Sequence, residues 1–364
     1  MHVLNDLVVF HARVCQARRP EDLFGARAEP TAEEKLRALS RAYREMVAKY
    51  HPDKHAGHMA AQYYASEVTA MVNVLYAQAK ERVEQGIYGR PDPTSRRAHH
   101  GEIKTPRRTY RMVDYLAEGD VSDVYLGEYD GDGGVGQVAI KIARSTSDND
   151  LMLNERDVLL LVKHKSLPVL VETFKTTDGK VGTITRLVEG HDLFAVRKRY
   201  PGGVGQEHAC WMLERFLGVL GFLHVNGVIH GNIEPGNLLV RPRDHNGFLL
   251  DLTFACVRPQ RGDTFKGANP DYSAPEVFER RQPIPPSDLY SLGKCMVFLL
   301  GGDVERNTFP DGVDGRLRSF LGGFLDPHPL HRTRDAWESW RKLSDLRLSL
   351  FGQRRQFLSF NMEP

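Results

Sequence analysis

Between Thr31 and Tyr50 the apolar residues Leu36, Leu39, Tyr43, Met46, Val47 and Tyr50 recur at three- and four-residue intervals. That period predicts an amphipathic helix. Thr31 followed by Glu34 gives a capping-box signature at its start, and Pro52 disfavours helical geometry at His51, so the helix should stop there. A second helix is predicted from about His58 to Gln85, burying Val68, Met71, Val72, Leu75 and Tyr76; the short connection makes the pair an antiparallel hairpin. From Gly89 to Arg108 the periodicity disappears and Pro91, Pro93 and Pro106 stand among charges, as expected of a linker. Near the end Leu346, Leu348 and Leu350 alternate, followed by Phe357 to Phe360; this reads as a hairpin packed on the preceding domain or a docking segment, with ordinary packing preferred.

Composition narrows the class. At 364 residues the chain has room for two domains, and 41% hydrophobic with 26% charged residues is ordinary for a soluble globular protein. The longest apolar run, Cys295–Leu300, is too short to span a bilayer. The start MHVLNDLVVF carries Asp6 and lacks a basic flank and a cleavage site, so a cytoplasmic location is expected. The four cysteines are scattered and form no Cys-x-x-Cys pair, which argues against zinc and a disulfide framework. A net charge of +2 argues against bulk nucleic-acid binding, and the His99-His100 pair has no further ligands at metal spacing.

The connection between the two predicted helices reads Tyr50-His51-Pro52-Asp53-Lys54, and Arg37, Arg41 and Arg44 form a positive stripe on the helix before it. With Val72–Tyr76 on the following helix, residues 21–88 resemble a J-domain. J-domains dock on heat-shock chaperone ATPases of the seventy-kilodalton class and stimulate their ATP hydrolysis. The resemblance implies that His51, Pro52 and Asp53 form the stimulating triplet, with Arg37, Arg41, Arg44 and Lys49 as docking charges. Proline and a capping aspartate would hold that loop rigid before a partner arrives.

From about Thr109 to Arg341 several motifs occur in the order found in protein kinases, and the chain resembles that family there. Leu116–Tyr125 stands at the glycine-rich phosphate loop, with Gly119 as its surviving glycine; Val138-Ala139-Ile140-Lys141 matches the strand whose lysine grips phosphates; Glu155 is the implied partner of Lys141. Thr185–Gly190 matches the hinge. Nucleotide contacts are thereby implied for Gly119, Val124, Ala139, Lys141, Glu155, Arg186 and Val188, and metal contacts for Asn237 and Asp251. ATP and magnesium are the implied ligands, at reduced affinity because Asp120 and Asp123 bring negative charge to the phosphate loop.

The catalytic loop, Val228–Val240, departs from the family. His230 is kept, but Gly231 replaces the usual arginine, Asn232 the catalytic aspartate and Glu234 the loop lysine, while Thr253 replaces the glycine after Asp251. An amide cannot act as a general base. Ala268 and Asn269 stand where a threonine usually helps position substrate, whereas Glu276, Asp288 and Arg332 keep fold-holding positions. The expected fold is α+β: a helical J-domain, then a bilobal kinase-like domain with a small β-rich lobe and a large helical lobe. Expected boundaries are 1–20 for an N-terminal extension, 21–88, a linker at 89–108, 109–341, and a C-terminal extension at 342–364. The expected function is a co-chaperone whose pseudokinase module recognises a client or regulatory partner; the alternative is an active or weakly active serine/threonine kinase carrying a J-domain.

Overall fold

The structure, a computed structural model, describes residues 7, 10, 11, 14, 17, 20–25, 31–55, 59–84, 88, 101–131, 134–352 and 359–362. The chain divides into two compact units, the first within Met1–Ser95 and the second spanning Arg96–Gly131 and Val135–Pro364. No described helix is long and apolar enough to cross a membrane.

In the first unit, α1 (Pro20–Phe24) precedes the long helices α2 (Ala32–Tyr50) and α3 (Met59–Glu84). The predicted capping box is present: the Thr31 hydroxyl accepts from Glu34 N, and the Glu34 carboxylate accepts from Thr31 N. On α2 only Leu39 and Tyr50 are fully buried; Tyr43 is half-buried, stacks on Tyr76 at 4.2 Å and donates to Asn73 Oδ1 at 2.9 Å. Val68, Met71, Val72 and Leu75 of α3 are buried as their spacing predicts. The short helix Pro20–Phe24, poorly marked in the sequence, contributes Leu23 and Phe24 to the same core.

The second unit begins with a six-stranded sheet in the order β1-β2-β3-β4-β6-β5: β1 (Gly101–Lys104), β2 (Thr109–Glu118), β3 (Ser122–Gly131), β4 (Gly134–Ala143), β5 (Leu170–Lys175) and β6 (Val181–Arg186). Strand β1 lies inside the stretch read as linker, where it pairs antiparallel with β2 through Ile103↔Tyr110. Four residues with one apolar side chain carry no readable alternation, so only the pairing reveals the strand. Residues 89–100 of that stretch lie outside the described residues. Tyr110, Val138, Ile140 and Ile184 form the sheet's buried cluster, and α4 (Asn149–Leu161) crosses between β4 and β5.

After β6 come β7 (His191–Asp192), α5 (Leu193–Arg199) and α6 (Gln206–Val225), the axis of the large core. The loop strands β8 (Val228–Ile229), β9 (Leu238–Arg241), β10 (Asn246–Leu249) and β11 (Cys256–Val257) follow, then α7 (Pro275–Phe278), α8 (Pro285–Leu299), α9 (Gly315–Gly322) and α10 (Ala336–Phe351). The expected hairpin around Leu346, Leu348 and Leu350 is not formed; these residues belong to α10, which runs across the boundary placed at 341. Its buried positions Ala336, Ser339, Leu343 and Arg347 follow a helical period, and Leu348 is exposed, so the alternating leucines do not mark a strand. Helix α10 packs on α6 at Gly221, where an added Cβ would lie 2.8 Å from the Trp337 ring, and a buried Arg347–Glu214 ion pair joins the same helices.

Candidate functional site

Strand alternation sets the first functional group. Val138 and Ile140 point into the sheet's core, which turns Ala139 and Lys141 to the opposite face. Helix α4 buries Met152, Glu155, Val158 and Leu159 at three- and four-residue spacing, so Glu155 faces inward with apolar neighbours. Lys141 Nζ lies 2.6 Å from Glu155 Oε1 and 3.0 Å from Asp251 Oδ1. Asp157, two residues further along α4, is exposed and pairs with Arg156.

The catalytic-loop segment is held from below by Asp288 at the start of α8. Its carboxylate accepts His230 N at 2.8 Å, Gly231 N at 2.9 Å and His224 Nε2 at 2.9 Å. Burial pushes the Asp288 carboxyl up, but the His224 bond and the backbone donors outweigh it and hold the group below the usual carboxylate range. The fully buried His230 donates from Nε2 to Leu250 O at 2.9 Å and accepts Asn232 N on Nδ1 at 3.2 Å, contacts that fit one neutral tautomer. Burial depresses its pKa, in keeping with that neutral form. Gly231 has φ +75° and an added Cβ would lie 2.9 Å from Phe254 O, so both conformation and space favour glycine where kinases usually have arginine.

Asp251 is the centre of the cleft. Its φ of +62° lies in the left-handed region, which aspartate tolerates better than most residues. Oδ1 accepts Lys141 Nζ and, at 2.9 Å, Thr253 Oγ1; Oδ2 accepts Asn232 Nδ2 at 3.1 Å. Burial alone would raise its pKa, but the Lys141 ammonium and Thr253 hydroxyl bring it below the ordinary value. Lys141 is held above the usual lysine range: burial opposes its charge, but the Asp251 and Glu155 carboxylates outweigh that. Asn237 donates through Nδ2 to Asn232 O at 3.0 Å, which ties the two asparagines together.

Asp251 and Asn237 carry the oxygen atoms that magnesium would use. A carboxylate offers about four acceptor sites, and donors from the chain itself occupy three of them on Asp251. The set is therefore a poor fit to a hard cation unless those bonds are given up.

The other residues predicted for the second unit lie on its strands and the loops between them. Gly119 N donates to Ser122 O at 2.8 Å, closing the loop between β2 and β3, and Val124 follows on β3. Arg186 ends β6 and is exposed, while Val188 is half-buried just beyond. The Glu234 carboxylate accepts from Asn269 Nδ2, and burial raises its pKa against that bond. In the first unit, His51 caps α2 and Asp53 lies in the single turn Pro52–His55; His51 Nδ1 is 3.4 Å from Asp53 Oδ2. Arg37, Arg41, Arg44 and Lys49 are exposed on α2, with Arg37 paired to Glu33 at 2.5 Å and Lys49 stacked over the Tyr50 ring at 4.8 Å.

Residues 110–344 match the protein kinase domain family. The chain belongs to that family. It is 29% identical over 224 residues to calcium/calmodulin-dependent protein kinase type 1 of Caenorhabditis elegans, covering 58% of this chain and 63% of that protein. It is 28% identical over 262 residues to the probable serine/threonine-protein kinase fhkC of Dictyostelium discoideum, covering 67% of this chain and 41% of that one. A calcium/calmodulin-dependent protein kinase type I of Schizosaccharomyces pombe is 31% identical over 160 residues, or 42% of this chain and 47% of the relative. The chain thus spans between two fifths and two thirds of these relatives' lengths. The kinase-family unit has the expected two parts, a β-sheet lobe and a helical region.

Sequence reasoning missed three residues around the kinase-family cleft. Arg144 pairs with Glu118 at 2.5 Å and donates to Gly119 O at 3.4 Å, bracing the phosphate loop from the end of β4. Asn154 on α4 donates to Thr253 O at 2.9 Å and Ala255 O at 3.0 Å, and Lys266 Nζ reaches Asn154 Oδ1 at 2.6 Å. All three contact backbone carbonyls or partners brought near by folding, for which no local spacing exists.

Proposed function

We propose that the kinase-family unit binds an adenine nucleotide at reduced affinity and does not transfer phosphate efficiently. The N-terminal unit is a J-domain that recruits a heat-shock chaperone ATPase of the seventy-kilodalton class in the cytoplasm. A client or regulatory protein is the partner of the kinase-family unit. The observation carrying the catalytic part is Asn232: the position that takes the substrate proton in kinases holds an amide, and that amide donates to Asp251. Loss of a positioned general base costs on the order of a hundred- to ten-thousand-fold in rate. The J-domain reading is supported by the α2–α3 hairpin, with His51, Pro52 and Asp53 at its connection and a basic exposed face on α2.

Two assays test this. The full chain should stimulate a cognate chaperone's ATPase, and His51→Gln should remove the stimulation; stimulation that survives the change rejects the co-chaperone reading. A phosphate-transfer assay with magnesium or manganese should give no turnover above the Lys141→Ala and Asp251→Ala controls.

A second reading, an active serine/threonine kinase, is favoured by the assembled Lys141–Glu155–Asp251 contacts and by the relatives named as kinases. Transfer to a protein substrate that both control substitutions abolish would establish it.

A further inference from the structure

Two departures from the kinase motif converge on one carboxylate. Asn232 Nδ2 donates to Asp251 Oδ2 at 3.1 Å, and Thr253 Oγ1 donates to Asp251 Oδ1 at 2.9 Å, the oxygen that also accepts Lys141 Nζ at 3.0 Å. The residues usual at these positions would act oppositely. Aspartate at 232 would set a second negative charge against the first, and glycine at 253 would offer no side-chain donor. Each replacement therefore supplies part of what a divalent cation supplies at such a site: donors and positive potential aimed at the carboxylate oxygens. The third member of the set, Asn237, is tied by its amide to Asn232 O at 3.0 Å.

We propose that this cleft takes its adenine nucleotide without a divalent cation, with Asn232 and Thr253 standing in for the metal at Asp251 and Lys141 as the cationic contact for the phosphates. The inference rests on the nucleotide reading above. Removing one formal charge at position 232 lowers the repulsion that uncomplexed phosphates meet. Asp120 and Glu234 keep the cleft acidic, so the claim concerns insensitivity to metal rather than tight binding.

Binding of ATP and of ADP to the full chain is measured by calorimetry in excess EDTA and again in saturating magnesium chloride. Dissociation constants should agree within about threefold, a difference well under 1.4 kcal/mol. In the double variant Asn232→Asp, Thr253→Gly, magnesium should tighten binding by about tenfold or more. Thr253→Val, which removes only the hydroxyl, should show a smaller gain and serves if the double variant does not fold. Parent protein that binds nucleotide only with magnesium overturns the inference and leaves the nucleotide reading standing. Parent protein that binds in neither buffer removes that reading, and this inference with it.

Discussion

Asn232 Nδ2 lies 3.1 Å from Asp251 Oδ2, so the side chain at the proton-accepting position is a hydrogen-bond donor to the one at the metal position. Two aspartates at that separation would repel; for unit charges about 4 Å apart at an effective dielectric near 20 the energy is roughly 4 kcal/mol. The amide turns that repulsion into an attraction and leaves the Lys141–Glu155–Asp251 contacts intact. Architecture and chemistry are separated at one atom pair.

Lys141 is the cation that balances this cluster. Its side chain is 15% exposed and Glu155 1%. Lys141→Met leaves a buried carboxylate without its partner, a change that typically costs about 3–5 kcal/mol. Urea denaturation should show a loss of that order, and the Lys141→Met, Glu155→Gln double variant should lose less than the sum of the singles. Additive losses would mean that the two side chains are not energetically coupled.

Arg332 and Glu276 form a buried ion pair of the large lobe, with both terminal guanidinium nitrogens on the carboxylate at 2.6 and 2.8 Å. Burial raises the Glu276 pKa, but Arg332 and Ser287 outweigh it and the net shift is downward. A carboxyl depressed on folding stabilises above its unfolded pKa and loses that contribution as pH falls through the folded value. Arg332→Met should therefore cost about 3–5 kcal/mol at neutral pH, and a smaller amount in acid once Glu276 is protonated. Equal losses at both pH values would contradict this.

His164 supplies a second acid-sensitive element. Burial pushes its pKa from the usual value to about 3, while Nδ1 accepts Ser166 N at 3.1 Å and the ring lies 4.8 Å from Phe222. A histidine kept neutral by folding contributes fully above its unfolded pKa near 6.5, and that contribution falls as pH drops towards 3. The slope is about 1.4 kcal/mol per pH unit. His164→Asn, which retains an acceptor near Nδ1, should flatten thermal stability between pH 6 and pH 4 relative to the parent. Parallel stability curves for the two proteins would exclude His164 as the source.

Lys266 ties its segment to α4 through Asn154 Oδ1 at 2.6 Å and to Ala255 O at 2.9 Å. Among the described contacts, this tie joins the stretch from Ala255 to Tyr272 to α4 at residue 266. Lys266→Met should make limited proteolysis within 256–272 several-fold faster with global stability lowered by less than about 1.5 kcal/mol. Unchanged cleavage rates would show that the segment is held by other contacts.

Local chemistry was legible wherever it depends on spacing along the chain. The Thr31–Glu34 cap and the α2–α3 hairpin follow from the 3.6-residue period and short-range capping, whereas the strand carrying Lys141 and its partner Glu155 were implied by the resemblance to kinases. The identities of Asn232, Glu234 and Thr253 were equally plain, and with them the loss of a carboxylate at position 232. What these replacements do was not legible. Thr253, read as a replacement for the usual glycine, donates to Asp251; Glu234 is held by Asn269; and Leu346–Leu350, read as alternation, belongs to a helix whose buried face is chosen by packing on α6. A hydrogen bond between residues 19 apart, or between 154 and 266, depends on the path of the chain in space, and no local period encodes it. The sequence by itself determined which groups are present and which proton acceptor is missing. Only the tertiary structure decided that the replacements meet at Asp251, because distance through space, rather than along the chain, sets hydrogen bonding and charge.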